Sequence, residues 1–252
     1  METKIMAEKD SASSRDKNDK GFEEIYLEVR KKEQRFYTDK EVNLLPEISK
    51  THVHYKEWQI RKVSATKLIN YLKKKKGPLN VLEVGCGNGW LSSKLADIEN
   101  ATITGLDINR VELNQAASVF GNKCNLSFEY GDLRDGIFSN RKFDIIVFAA
   151  SLQYFPSIAH IINAAWPLLS LKGEIHILDT PLYKASEILP AQQRCKNYYD
   201  HLGFPEMRAF YFHHPFSHLY QFGYTIMHNP FSTINSLLKK GSPFYWLYIS
   251  KT

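Results

Sequence analysis

Long apolar runs are missing. No stretch of the 252 residues approaches the roughly 18 apolar residues of a membrane span, and the charge-mixed start METKIMAEKDSASSRDKNDKG lacks an apolar targeting core. A soluble, cytoplasmic protein without a membrane partner is expected. Cysteine is scarce and odd in number: Cys86, Cys124 and Cys195 are widely spaced in a chain too long to need stapling, so a reducing compartment and no disulfide are expected. A large charge excess is also missing, since 33 Lys and Arg against 27 Asp and Glu leave +6, too little by itself to call for nucleic acid. Hydrophobic residues at 43% and charged residues at 24% are ordinary globular values, which excludes a wholly disordered or fibrous chain. No internal repeat of fixed period is present.

Residues 1–21 are polar and without periodicity, so they read as a disordered tail. Residues 22–78 read as an N-terminal helical cap: Phe22, Ile25, Tyr26 and Val29 fall at helical spacing, as do Trp58, Ile60, Val63, Leu68, Tyr71 and Leu72. The second pattern runs into Lys73 to Lys76 and stops at Gly77-Pro78, a solvated helix end rather than a phosphate patch. The core, 79–252, changes to short apolar runs at residues 81–84, 101–106, 126–130, 143–149 and 174–178, with helices after the first, second and fourth. Runs as continuous as IIVFAA, alternating with helices, imply a parallel sheet covered on both faces, a doubly wound α/β fold. Tyr183 to Leu202 is helical but interrupted at Pro190, Phe204 to Pro215 is dense in aromatics, and Phe216 to Phe222 reads as a short helix. Residues 224–227 and 244–249 read as two late strands giving the sheet an antiparallel finish.

The strongest local signal is Val81-Leu82-Glu83-Val84-Gly85-Cys86-Gly87-Asn88-Gly89-Trp90, a strand entering glycines and then a helix. Gly85, Gly87 and Gly89 let backbone approach a ligand beside a helix N-terminus, which suits a nucleoside. The dinucleotide pattern G-x-G-x-x-G is absent, with Trp90 where its third glycine belongs, so NAD is disfavoured. Asp107 ends the second strand, where a carboxylate can accept from ribose hydroxyls, or equally cap the following helix. Asp132 ends the third strand, and the three strand ends converge on the edge where open α/β sheets bind ligands.

These motifs together resemble the class I S-adenosylmethionine-dependent methyltransferases, small-molecule type, from about Val81 to Thr180, with Tyr224 to Ile249 similar to that family's final strand pair. The resemblance implies a Rossmann-like seven-stranded sheet with an antiparallel last strand, and S-adenosyl-L-methionine as cofactor. It implies that Glu83, Gly85, Cys86, Gly87 and Gly89 surround the methionine part and that Asp107 binds the ribose. Ile108 would pack on adenine, with Asp132 and the Leu133 N–H meeting its edge. Phe143 to Ala150 resembles the fourth-strand motif, so Ala149 and Ser151 to Phe155 would face the sulfonium and the acceptor. The family's histidine pair after that strand is replaced here by Gln153-Tyr154, and its Asn-Pro-Pro-aromatic run is absent.

Residues 183–215 exceed what the core needs and read as a lid-like insertion that selects the acceptor. An acceptor hydroxyl or ammonium needs a base, for which His213 and His214 in the lid are the first candidates and Tyr154 the alternative. Pro215 disrupts any alignment of His213, His214 and His218, so no metal site is expected. His52 and His54 could close over the cofactor or be plain loop residues, His160 and His176 read as structural, and Arg61 as a surface ion pair that could instead reach the cofactor carboxylate. The aromatic-rich region has only Arg194, Lys196 and Arg208 among it, too few cations for a polynucleotide path. The expected activity is methyl transfer to oxygen or nitrogen of a small acceptor; the rivals are an RNA or protein methyltransferase and a non-catalytic cofactor-binding module.

Overall fold

A computed structural model of the chain describes residues 15–232, 235 and 242–251. Its elements, in order, are α1 (Arg15–Lys32), α2 (Asp39–Leu44), α3 (Tyr55–Leu72), β1 (Leu79–Val84), α4 (Trp90–Leu95), β2 (Ala101–Asp107), α5 (Arg110–Phe120) and β3 (Leu126–Tyr130). There follow β4 (Phe143–Ala149), α6 (Ile158–Ala165), β5 (Leu169–Leu178), β6 (Leu182–Tyr183), α7 (Ile188–Leu202), β7 (His214–Pro215), β8 (Tyr224–His228) and β9 (Trp246–Ser250). Seven strands form one sheet in the order β3-β2-β1-β4-β5-β9-β8. β1 to β5 pair in parallel, whereas β9 pairs antiparallel with both β5 and β8, which gives the Rossmann-like sheet expected.

Strand alternation divides the core between two faces. Val81, Ile103, Ile145 and Val147 pack under α2, α3, α4 and α5, while Leu82, Val84, Ile146, Phe148 and Ile175 pack under α6 and the turns around Leu133 and Leu219. Burial from both sides explains why β1 and β4 read as continuous apolar runs. A third, smaller cluster joins α1 to α7 through Val29, Tyr199 and Met207. No helix among the described residues is long and apolar enough to cross a membrane.

Several expected boundaries shift. Helix α1 starts at Arg15, inside the stretch expected to be tail; its first turns hold no apolar residue before Phe22, so periodicity carried no signal there, and residues 1–14 lie outside the described residues. Pro190 does not interrupt α7, because it sits in the first turn, where the missing N–H would have no intrahelical partner. β5 begins at Leu169, since Leu171-Lys172-Gly173 is an irregularity within the strand: the register moves from Phe143↔Leu169 to Ile145↔Glu174, with Lys172 at φ 64°. Residues Phe216–Phe222 form a 3-10 rather than an α-helical segment. Helix α2 was not expected, although Thr38 and Glu41 form a reciprocal capping box.

The cap is tied to the sheet by buried polar contacts. Trp58 donates to the Tyr37 hydroxyl at 2.8 Å and meets Trp90 edge-on at 5.2 Å. Lys75, from the lysine run after α3, reaches Glu174 on β5 at 2.8 Å, and the Tyr71 hydroxyl donates to the same carboxylate at 3.0 Å. His176, buried as expected, lies 3.0 Å from Glu174 and accepts from Trp246 Nε1 at 3.1 Å. Burial pushes the Glu174 carboxyl up, but the hydrogen bonds and charges of His176 and Lys75 outweigh it and hold it at about 2, against an ordinary 4.5. A depressed folded value stabilises fully above the unfolded value and is lost as pH falls through the folded one. Melting temperature should therefore drop more steeply between pH 4.5 and about 2 in the wild type than in Glu174→Gln; parallel melting curves over that window would show that the cluster does not titrate as described.

Candidate active site at the strand tips

The parallel strands end on one edge, and the turns leaving them open a crevice there. At Gly85 (φ 75°) the chain leaves β1 beneath the tip of β4; a Cβ there would lie 2.5 Å from the Ser151 Cβ, so only glycine fits. Ser151 locks the two tips together by donating to the Val84 carbonyl at 2.7 Å. Gly87 borders the crevice, whereas Gly89 does not: a Cβ on Gly89 would meet the Phe128 ring at 2.6 Å, so it serves helix packing. Cys86 lies buried with a free thiol, as Cys124 and Cys195 are also unpaired. Glu83, buried beneath the loop, accepts from the Ser92 hydroxyl, and burial pushes its carboxyl up to about 8.

Asp107 stands at the tip of β2. Its carboxylate accepts from the Gly87 N–H at 2.7 Å and the Asn109 N–H at 2.9 Å, fixing the glycine loop against the second strand. Asn109, not Asp107, caps α5, by accepting from the Glu112 N–H. Burial raises the Asp107 carboxyl above its ordinary value against the pull of three backbone N–H groups. Asp132 is buried and held by Arg134 through both Nε contacts, at 2.9 and 2.8 Å, while it caps its own turn. Ile108, Leu133 and Asp132 line one cavity with Gly85, Gly87 and Asp107.

Three cavities meet at these tips. The first, of about 100 Å³, lies beside a second of about 90 Å³ bordered by Glu83, Cys86, Ala149, Trp58 and Arg61. The third, about 580 Å³, opens away from the sheet between α1, α3 and α7 and is walled by Tyr183, Tyr198, Tyr199, Tyr211 and Met207. Tyr26, Ala150 and Tyr154 border all three. The Tyr26 and Tyr154 rings meet edge-on at 5.6 Å, and Tyr154 meets Tyr211 in the same way at 5.9 Å. Burial drives both junction phenols above their ordinary value, so they stay protonated at neutral pH.

Of the candidate bases, Tyr154 and His213 reach the large cavity; His213 lies at its outer end between Tyr183 and Tyr211, at 5.5 and 5.2 Å. His214 does not reach it. It is 2% exposed, with Nε2 3.2 Å from the Leu152 carbonyl. His52 and His54 border none of the three cavities; His54 Nε2 lies 2.6 Å from the Glu33 carbonyl. Arg61 is half-buried, binds Glu57 at 3.0 Å and borders two of the cavities, so it is no simple surface pair.

The residues that sequence reading passed over are Tyr26, Arg30, Gln153 and Asp179. Helical spacing had put Tyr26 on an apolar stripe, but which wall that stripe covers is a tertiary matter. Arg30 reaches Glu112 at 3.9 Å, while its Nε and the Gln153 Oε1 are buried with no partner among the described residues. Orphan donors and acceptors facing a crevice mark a place where a polar ligand completes the bonding.

Residues 81–173 match the methyltransferase-domain family. Over that stretch, somewhat over a third of the chain, the sequence is similar to methyltransferase domains. The malonyl-[acyl-carrier protein] O-methyltransferase 1 of Ilyobacter polytropus is 32% identical over 128 residues, 50% of this chain and 47% of that protein. The fatty-acid O-methyltransferase of Mycolicibacterium smegmatis is 39% identical over 77 residues, 30% of this chain and 28% of that one. The matches thus span less than half the length of these curated relatives. Among solved structures, a plantazolicin methyltransferase in complex with SAH superposes with a TM-score of 0.58 at 16% identity, covering 94% of this chain and 98% of that one. The geranyl diphosphate C-methyltransferase of Streptomyces coelicolor gives 0.56 at 12% identity, covering 81% and 83%. Those two likenesses establish the fold, which reaches well beyond the matched methyltransferase domain.

Because His214 is packed away from the strand-tip crevice, His214→Ala should lower the melting temperature through a loss of about 1–3 kcal/mol and leave nucleoside affinity unchanged. Calorimetry showing weaker binding in that variant would return His214 to the site.

Proposed function

We propose that this protein is an S-adenosyl-L-methionine-dependent methyltransferase acting on a small-molecule acceptor. The observation that carries the reading is the meeting of the two strand-tip cavities with the large tyrosine-walled cavity at Tyr26, Ala150 and Tyr154. One ligand enters along the glycine loop and another through the tyrosines, and they can touch only there. The residues present fit the cofactor: a carboxylate at the second strand tip for a ribose, apolar Ile108 and Leu133 for a base, and unpartnered Arg30 Nε beside Arg61 for an amino-acid carboxylate.

The bound cofactor supplies an activated methyl group on a good neutral leaving group. The protein's part is alignment and exclusion of water. Asp107 would hold the ribose hydroxyls, the Gly85 to Gly87 backbone would pass under the methionine part, and Asp132 and Leu133 would meet the adenine edge. Tyr26 and Tyr154 close the junction, and α1 with residues 183–215 would serve as the lid that shapes the acceptor cavity. His213 at the outer end is placed to orient an acceptor rather than to act at the junction. The unpaired thiols support a cytoplasmic location. The tyrosine walls favour a small molecule over a polynucleotide, which would need a continuous strip of cations.

Isothermal calorimetry with S-adenosylmethionine, S-adenosylhomocysteine and NAD tests the reading. Binding of the two sulfur nucleosides without NAD is expected; binding of none would leave the fold as a scaffold. Asp107→Ala should weaken S-adenosylhomocysteine binding by about 2–3 kcal/mol, since it removes charge-assisted bonds to the ligand. It also releases the Gly87 N–H, which acts in the same direction. An unchanged dissociation constant would take Asp107 out of the site.

A further inference from the structure

Asp179 follows the last residue of β5. The register pairs Ala149 with Leu178, and the Ala150 N–H donates to the Leu178 carbonyl at 2.9 Å, so Ala150 and Asp179 are neighbours at two adjacent strand tips. Both adopt left-handed backbone, φ 55° and 53°, which side chains with a Cβ rarely take. Two such residues side by side at a crevice are a recurrent mark of a functional site. Ala150 borders all three cavities; Asp179 borders the large cavity and the one beside Glu83.

The Asp179 carboxylate is 9% exposed and forms no ion pair among the described residues. Its two hydrogen bonds both fall on Oδ1, from the Ser64 hydroxyl at 2.6 Å and the Ser242 hydroxyl at 3.2 Å. Those serines come from opposite ends of the sequence and fix one oxygen, which leaves Oδ2 for a ligand. The nearest cationic influence, Arg61, is already committed to Glu57 at 3.0 Å, and Arg35 binds the same glutamate. A buried carboxylate that no described residue pairs with a cation is a place for a ligand's positive charge. Beside it the Gln153 Oε1, on a residue 7% exposed, also lacks a donor, and Gln153 borders the same two cavities.

Among the described residues, Gln153 Oε1 and Asp179 Oδ2 thus receive no hydrogen bond where the acceptor cavity reaches the junction. We infer that Asp179 is the proton-accepting catalytic residue and that the acceptor is an amine, one N–H directed to Asp179 and another to Gln153 Oε1. The inference rests on the methyltransferase reading above. An ammonium brings the positive charge that Asp179 lacks, and the tyrosine faces around the cavity suit a cation as well. One ammonium can serve both acceptors with separate N–H bonds, whereas a hydroxyl brings a single donor and a carboxylate none. In the step, the ammonium gives a proton to Asp179 and its freed lone pair attacks the sulfonium methyl carbon. The C–N bond forms, the C–S bond breaks, its electron pair stays on sulfur, and the product is the N-methylammonium with neutral S-adenosylhomocysteine. Burial lifts the Asp179 carboxyl above its ordinary value, against the pull of the Ser64 hydroxyl, the Arg61 charge and the Ser242 hydroxyl, which brings it nearer to the amine it serves.

The test uses the full chain loaded with S-adenosylhomocysteine for binding and with S-adenosylmethionine for turnover. Benzylamine and decylamine, each beside its alcohol and its carboxylate, are followed by saturation-transfer NMR and by mass spectrometry of the product. The amines should bind the loaded protein and yield N-methyl products. Asp179→Asn keeps an oxygen for both serines and suits left-handed backbone, so it should fold and retain S-adenosylhomocysteine affinity while losing amine binding and about 100-fold or more in turnover. Asp179→Gly, which removes the strain, should melt at a higher temperature with the same loss. Preferred methylation of an alcohol or carboxylate, failure of the loaded protein to bind either amine, or weakened nucleoside affinity in Asp179→Asn would each overturn the inference. Failure of the wild type to bind S-adenosylhomocysteine would instead overturn the methyltransferase reading beneath it.

Discussion

The close passage of Gly85 under Ser151 is the constraint on which the site depends. With 2.5 Å between Ser151 Cβ and the place a side chain would take, the β1 and β4 tips lie as near as two backbones can. The Ser151 hydroxyl on the Val84 carbonyl then holds that spacing. From this pinch the chain after β1 must turn toward β2, where Asp107 receives the Gly87 N–H, and the chain after β4 must turn the other way, through Ala150 and Tyr154. The crevice between these departures is a product of strand direction, since parallel strands all spend their outgoing turns on the same edge.

Electrostatics then divides the crevice. On the β2 side the acids are met by backbone N–H groups and by Arg134; on the β5 side Asp179 is met, among the described residues, by hydroxyls. The difference follows from what each tip faces. Asp107 meets the N-terminal ends of a glycine turn and of α5, both rich in free N–H groups, whereas Asp179 meets the side of α3, whose backbone groups are already bonded within the helix. A carboxylate set against the flank of a helix can be served only by side chains, and α3 offers it Ser64.

What was legible in the sequence was whatever is written locally. Continuous apolar runs gave the parallel strands, and the glycine turn with Asp107 and Asp132 gave the edge where they converge. Thr38 and Glu41 carry a capping box that marks α2 locally as well. His213 and His214 were indistinguishable as neighbours, since only the folded chain decides which one faces the cavity. Asp179 could not be read at all: its neighbours Ser64 and Ser242 lie far away in sequence, and its contact with the Ala150 tip is a matter of register. Gln153-Tyr154 was noted as a departure from a histidine pair, yet the orphan Oε1 that gives Gln153 meaning exists only once the chain is folded.

Helix α1 couples the parts. Phe22 walls the cavity at Asp107, Tyr26 stands at the junction, and Val29, Arg30 and Glu33 wall the large cavity, so one helix completes both ligand sites. It is held by contacts to elements on each side: the Glu23 carboxylate accepts from the Arg110 N–H at 2.8 Å, Arg30 leans on Glu112, and the Phe22 ring packs at a tilt against Phe210 at 5.3 Å. The two strand-tip cavities are far smaller than the one beyond them, and Phe22, Tyr26 and Arg30 of α1 stand in their walls. A ligand at the strand tips must therefore share contacts with the same helix that an acceptor needs.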